Sequence, residues 1–264
     1  MSIALDKILI AAKKKGSCES AAKLAGRIAS TFKAKLFALV PEELKNNILS
    51  TALIPGIEFL SLNNGSAHKQ IKDTASNINP DLVVLPVSTN DSDEAVVTSK
   101  EANNIIDHLE RMVLTVPAGN KDFNMLKIVV PIDTSFETRQ KIPYAEAFAR
   151  QFGSTIHVIG VSNDKGKDAQ VTLNNYIRQV ANVVSDHGFK CEVDEDIHLG
   201  VNPTDKTLEY AKKINAGLII IMTEQESNLV SFFSGKYSEQ MVKKSEIPVL
   251  SVHPRDLVVS EARL

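Results

Sequence analysis

The stretch LKIVVPIDTS (126–135) decides the fold. From 126 to 132 it is short, largely β-branched and, apart from Lys127, apolar, as expected of a strand buried on both faces of a parallel sheet. It is followed at 134–151 by a helical pattern with Ile142, Ala145, Phe148 and Ala149 on one face. Next comes a second apolar run, TIHVIGV (155–161). Strand, helix and strand in this order form a βαβ unit with a right-handed crossover.

The same grammar extends in both directions. Downstream lie KCEVDEDI (190–197), AGLIIIM (216–222) and IPVLSV (247–252). Upstream lie KILIAA (7–12), LFALV (36–40), IEFLSL (57–62), DLVVLP (81–86) and MVLTV (112–116). The 190–197 run alternates polar and apolar residues, which predicts an edge strand with one wet face. Helical spacing recurs at 17–32, with Ala21, Leu24, Ala25, Ile28 and Phe32, and at 66–77 and 203–214. Residues 41–56 have room for one helix, where the second series has a longer one at 170–187. The two series match in order, so the chain is an internal repeat with its joint near 118–123. A period of ~120–140 residues means two domains, 1–120 (shortened) and 121–264, and not a solenoid. The expected class is α/β, with two tandem Rossmann-like domains.

Composition narrows the function. Of 264 residues, 43% are apolar and 23% charged, and the net charge of −2 argues against a bulk electrostatic nucleic-acid binder. No run is long enough to span a membrane, and no signal peptide is read at the start, so the expected location is the cytoplasm. Two distant cysteines, Cys18 and Cys191, exclude a disulfide framework and a cysteine-rich zinc site, and are read as reduced structural thiols. With no Trp and 5% aromatics, the core must be aliphatic.

In an open parallel sheet, ligands bind beyond the carboxyl ends of the strands. There, Asp133 can accept a hydrogen bond from an amine such as the adenine amino group, or it can cap the following helix. After the run at 216–222, the segment around Gly235, Lys236, Tyr237 and Ser238 reads as a turn feeding a helix. Ser234 or Ser238 can cap that helix, and its backbone N–H groups can hold an anion. The Gly235-Lys236 pair is not a P-loop, because no glycine stands five positions earlier. An ordinary loop and capped helix fit these residues equally. Asp91, Asp93 and Glu94 lack the glycine and terminal glutamate of an EF-hand. Asp194, Asp196 and His198 share one face of a strand by alternation and read as an exposed polar edge, so no metal site is assigned. No Ser-His-Asp or Cys-His arrangement has sequence support. Lys13, Lys14 and Lys15 follow the first strand and read as a solvated loop.

These residues resemble the universal stress protein family. The likeness rests on the order of elements, the IVVPIDTS opening (128–135), HLGVNP (198–203) and the closing SEQMV…IPVLSV (238–252). It covers the whole chain as a tandem pair and is clearest in the second copy. It implies a five-stranded parallel sheet of order 3-2-1-4-5 in each copy. It also implies a pseudo-dimer in which 112–116 meets 248–252 antiparallel, with a homodimer as a further assembly. The family's nucleotide-binding members carry an Asp after the first strand and a loop G-x2-G-x9-G-[ST].

Here Asp133 takes the Asp position, and Val161 falls where the second strand lends a backbone contact to the base. Met222 and Gln225 replace the first two loop glycines. Gly235 keeps the third, followed by Lys236. In the first copy Lys13 replaces the Asp and the loop at 86–94 has no glycine. The resemblance thus implies a lost first site and a second site that keeps its adenine end better than its phosphate end. The expectation is a non-catalytic stress-response or signalling protein with no obligate cofactor, binding ATP, AMP or adenosine weakly at most. The rivals are an ATP-binding member with slow hydrolysis, an enzyme of the wider adenine-nucleotide hydrolase-like fold, and a binder of another small ligand.

Overall fold

The computed structural model describes residues 3–13, 18–88, 97–119, 121–223 and 237–254. The first half contains β1 (Lys7–Ala11), α1 (Glu19–Phe32), β2 (Lys35–Val40), α2 (Lys45–Ala52), β3 (Glu58–Ser61), α3 (Ala67–Ile78), β4 (Leu82–Val87), α4 (Ser99–His108) and β5 (Met112–Pro117). The second contains β6 (Lys127–Ile132), α5 (Ile142–Phe152), β7 (Thr155–Ser162), α6 (Lys167–Asp186), β8 (Cys191–Leu199), α7 (Pro203–Lys213), β9 (Leu218–Met222), α8 (Tyr237–Lys244) and β10 (Val249–Val252).

The strands form one ten-stranded sheet of order β3-β2-β1-β4-β5-β10-β9-β6-β7-β8. Each half reads 3-2-1-4-5, with parallel pairing within it. The halves meet at β5 and β10, which run antiparallel with Thr115 opposite Val249 and Val113 opposite Ser251. Around that seam α1 packs on α5 and α4 on α8. Phe32 of α1 stands 5.4 Å from Phe148 and 6.4 Å from Phe152 of α5, centroid to centroid. Such aromatic pairs add roughly 0.5–1.5 kcal/mol each beyond the area they bury. The connection between the halves is tied to α1: Arg27 donates to the Phe123 carbonyl at 2.6 Å and pairs with Asp122, and Lys121 N–H donates to Ser20 Oγ at 2.7 Å.

Local chemistry sets the element ends. Thr98 and Glu101 form a capping box on α4. Asn202 caps α7 with Pro203 at its first position, and Gly153 ends α5 with φ of 67°. The helix expected at 134–151 starts late. A 3-10 turn occupies Glu137–Lys141 and the α-helix begins at Ile142, with Pro143 in its first turn, where a missing N–H costs nothing.

β8 is an edge strand, but its two faces are not those alternation predicts. Val158 pairs with Val193 and Gly160 with Ile197, so Ile159 opposes three residues in a bulge. The bulge brings Asp194 and His198 together at 2.7 Å, with both side chains 14% exposed, while Asp196 is exposed and outside this pair. The expectation of an exposed polar face holding all three is corrected by this geometry. Among the described residues, no group of three or more His, Cys, Asp or Glu is arranged to hold a metal ion, and no helix is long and apolar enough to cross a membrane.

Candidate functional site

The second crevice lies between the carboxyl ends of β6 and β9, where the strand order reverses. The β6–β9 ladder comprises Ile128 opposite Leu218 and Val129 opposite Ile219, although β6 runs on to Ile132 and β9 to Met222. The two strands therefore part at their carboxyl ends while staying bonded to β7 and β10 on their far sides. This is the place that a doubly wound sheet offers to a ligand.

Asp133 sits at the tip of β6, half-buried. Its Oδ1 accepts the backbone N–H of Ser135 at 2.8 Å and the Ser135 hydroxyl. The carboxylate thus closes a turn after the strand, and Oδ2 takes no hydrogen bond among the described residues. Asp133 N–H donates to Thr138 Oγ1 at 3.1 Å. The same oxygen accepts from Lys141 Nζ at 3.1 Å. Lys141 is 2% exposed and is among the largest fully buried side chains. Burial pushes its pKa down to about 8, against the opposing pull of the Asp133 charge. Sequence reasoning missed this residue. The available signal was its spacing: Lys141 lies one helical turn before Ala145, on the face that Ala145, Phe148 and Ala149 bury.

The remaining expected site residues are dispersed. Val161 is buried in the smaller core beneath α7 and α8, with Ile159 and Tyr210. Met222 belongs to the main core and fills space at the end of β9. Tyr237 packs beside the smaller core, its hydroxyl 3.3 Å from Thr207 Oγ1. Ser238 is buried inside α8, not placed ahead of it as a cap. Gln225, Gly235 and Lys236 lie outside the described residues, as do Ser234 and the first-copy acids Asp91, Asp93 and Glu94. In the first crevice Lys13 is exposed and Ser88 is buried.

A second polar group lies on the far side of β7. His157 is buried, and neither ring nitrogen has a hydrogen-bond partner. Glu192 Oε2 lies 3.4 Å from Nδ1, too poorly aligned to count as a bond. Tyr210 meets the ring edge-on at 6.4 Å. Desolvation lowers the pKa of His157, Glu192 opposes the shift and Lys127 adds to it. Burial also raises Tyr210 to about 12, helped by Asp194 and Glu192.

Residues 125–253 match the model of the universal stress protein family. The second half of the chain is a universal stress protein domain. A universal stress protein of Methanocaldococcus jannaschii is 26% identical over 140 residues, covering 48% of this chain and 81% of that protein. Across both halves, the fold is shared with a universal stress protein of Archaeoglobus fulgidus: 15% identity, TM-score 0.67, covering 94% of this chain and 97% of that one. It is shared equally with a functionally unknown protein of Pseudomonas aeruginosa: 19% identity, TM-score 0.69, covering 95% and 93%. The universal stress protein domain holds Asp133 and Lys141. The first half has the same strand order but Lys13 where the second has Asp133.

Proposed function

We propose that this chain is a non-catalytic stress-response or signalling module whose second crevice binds an adenine nucleotide weakly. Asp133 carries the reading. It stands where β6 and β9 part, with Oδ2 available to an amino group, while the corresponding residue of the first copy is the cation Lys13. The weakness follows from Met222 and Gln225. Glycines let a phosphate approach the backbone closely, and side chains at two of the three loop positions prevent that approach. A triphosphate without that cradle has no reason to be held long enough for hydrolysis. The domains, 1–120 and 121–264, act in this reading as one tandem unit, of which the second carries the ligand.

Calorimetry with ATP and magnesium tests it. Losing close phosphate contacts removes several kcal/mol from an ordinary micromolar site, so the expected Kd is weaker than ~100 μM. Asp133→Ala should weaken whatever binding remains, and Lys13→Ala should leave it unchanged. A low-micromolar constant for ATP, or equal sensitivity to both substitutions, would overturn the reading. Native mass spectrometry of the purified chain reports any retained nucleotide directly.

A further inference from the structure

Lys141 is unexplained by the glycine-loop pattern. Its turn packs against both β6 and β9, so the side chain is buried in the wedge where the strands part. An ammonium carries three donors. Among the described residues, Lys141 Nζ finds one acceptor, Thr138 Oγ1, which it shares with the Asp133 backbone N–H. Asp133 is the one described carboxylate whose charge reaches it, and that side chain is turned onto Ser135 instead of pairing with it. A lysine on a short turn has four methylenes with which to reach water. Holding its charge in the interior with a single neutral partner is costly, and structures tolerate such groups chiefly where the charge is used.

We propose that Lys141 is the anion-recognising residue of the second crevice and that the ligand favoured there carries one phosphate or a comparable single anionic group. The base half of that ligand rests on the Asp133 reading above, but the anion half does not. An anion entering the wedge supplies the acceptors that the ammonium lacks. Its charge is met by a side chain from beneath, so Met222 does not preclude it as it precludes a glycine-loop cradle. One ammonium matches one phosphate, and a triphosphate brings charge that nothing described here neutralises. The crevice therefore selects a nucleoside monophosphate over both the nucleoside and the triphosphate.

The test uses the full chain labelled with ¹³C at lysine Cε, with Lys141→Met identifying the resonance. The probes are adenosine, AMP, ATP and inorganic phosphate. AMP should bind about tenfold more tightly than adenosine, the factor expected of a charge-assisted hydrogen bond. In Lys141→Met that advantage should collapse while adenosine affinity is kept. In the unsubstituted chain, AMP and phosphate should each raise the titration midpoint of the Lys141 resonance above about 8, because a bound anion favours the charged amine. If AMP binds yet the resonance stays still and the variant keeps its AMP preference, this proposal falls and the nucleotide reading survives. If phosphate moves the resonance while adenosine does not bind and AMP does no more than phosphate, the anion site stands and the nucleotide reading falls. A resonance unmoved by either anion at about 10 mM overturns the proposal outright.

Discussion

At the residue scale, the described residues of the second half include two buried bases in opposite situations. Lys141 is buried where β6 and β9 part and keeps one hydroxyl partner, whereas His157 is enclosed between β8 and α7 with both ring nitrogens unbonded. Its folded-state pKa lies below the ordinary 6.5. Above pH 6.5 the ring is neutral both folded and unfolded and contributes no pH dependence. Below it the unfolded chain takes up a proton that the folded chain resists, so stability falls as the solution is acidified. Urea midpoints at pH 7.5 and pH 5 should therefore drop less for His157→Phe than for the parent. His253, also lowered by burial, should leave a residual slope. Equal slopes would show that His157 is solvated or paired. Asp133 was legible in the sequence because it follows an apolar run, where chemistry in such sheets collects. Lys141 was not, because a single lysine within a helical stretch looks like a surface residue until the face it occupies is known.

At the element scale, two glycines set how closely pieces approach. A Cβ on Gly26 would stand 2.0 Å from the Ala52 carbonyl oxygen, where α1 crosses the end of α2. One on Gly217 would stand 1.3 Å from the carbonyl oxygen of Asn124, in the connection that precedes β6. Backbone cannot yield as a flexible side chain can. Gly26→Ala and Gly217→Ala should each cost about 1–3 kcal/mol or more by overpacking, read as a fall of several degrees in Tm. An unchanged Tm for either would mean that the contact is looser than described. Most strands were readable because they are short apolar runs between turn residues, and β8 because its polar and apolar residues alternate. The late start of α5 and the β8 bulge were not. Pro143 hides a 3-10 turn inside a helical spacing, and a bulge adds residues to a strand without altering its composition.

At the scale of the whole molecule, β5 and β10 cover each other. Each has its half's next strand on one side and the opposite half on the other. Cutting the chain exposes both edges, together with Phe32 on one piece and Phe148 and Phe152 on the other. The fragments 1–120 and 121–264, produced separately, should dimerise or lose solubility relative to the intact chain. Two well-behaved monomers in sedimentation velocity would show the seam to be dispensable. The outer edges are guarded differently: β3 is only four residues long, and β8 carries Glu192, Asp194, Glu195 and Asp196 along a kinked strand.

The seam has a further consequence. A pair of identical subunits meeting edge to edge separates on dilution, and any substitution in one appears in the other. Here a short peptide segment holds the partners at a high effective concentration, so the pairing withstands dilution. Each side is also spelled independently in the chain. A lysine can stand at the tip of β1 while a carboxylate is kept at the tip of β6, although the backbones around them are related by a near two-fold rotation. Tethering thus frees the assembly from the rule that both pockets must change together, so the two crevices can carry different side chains on one shared frame.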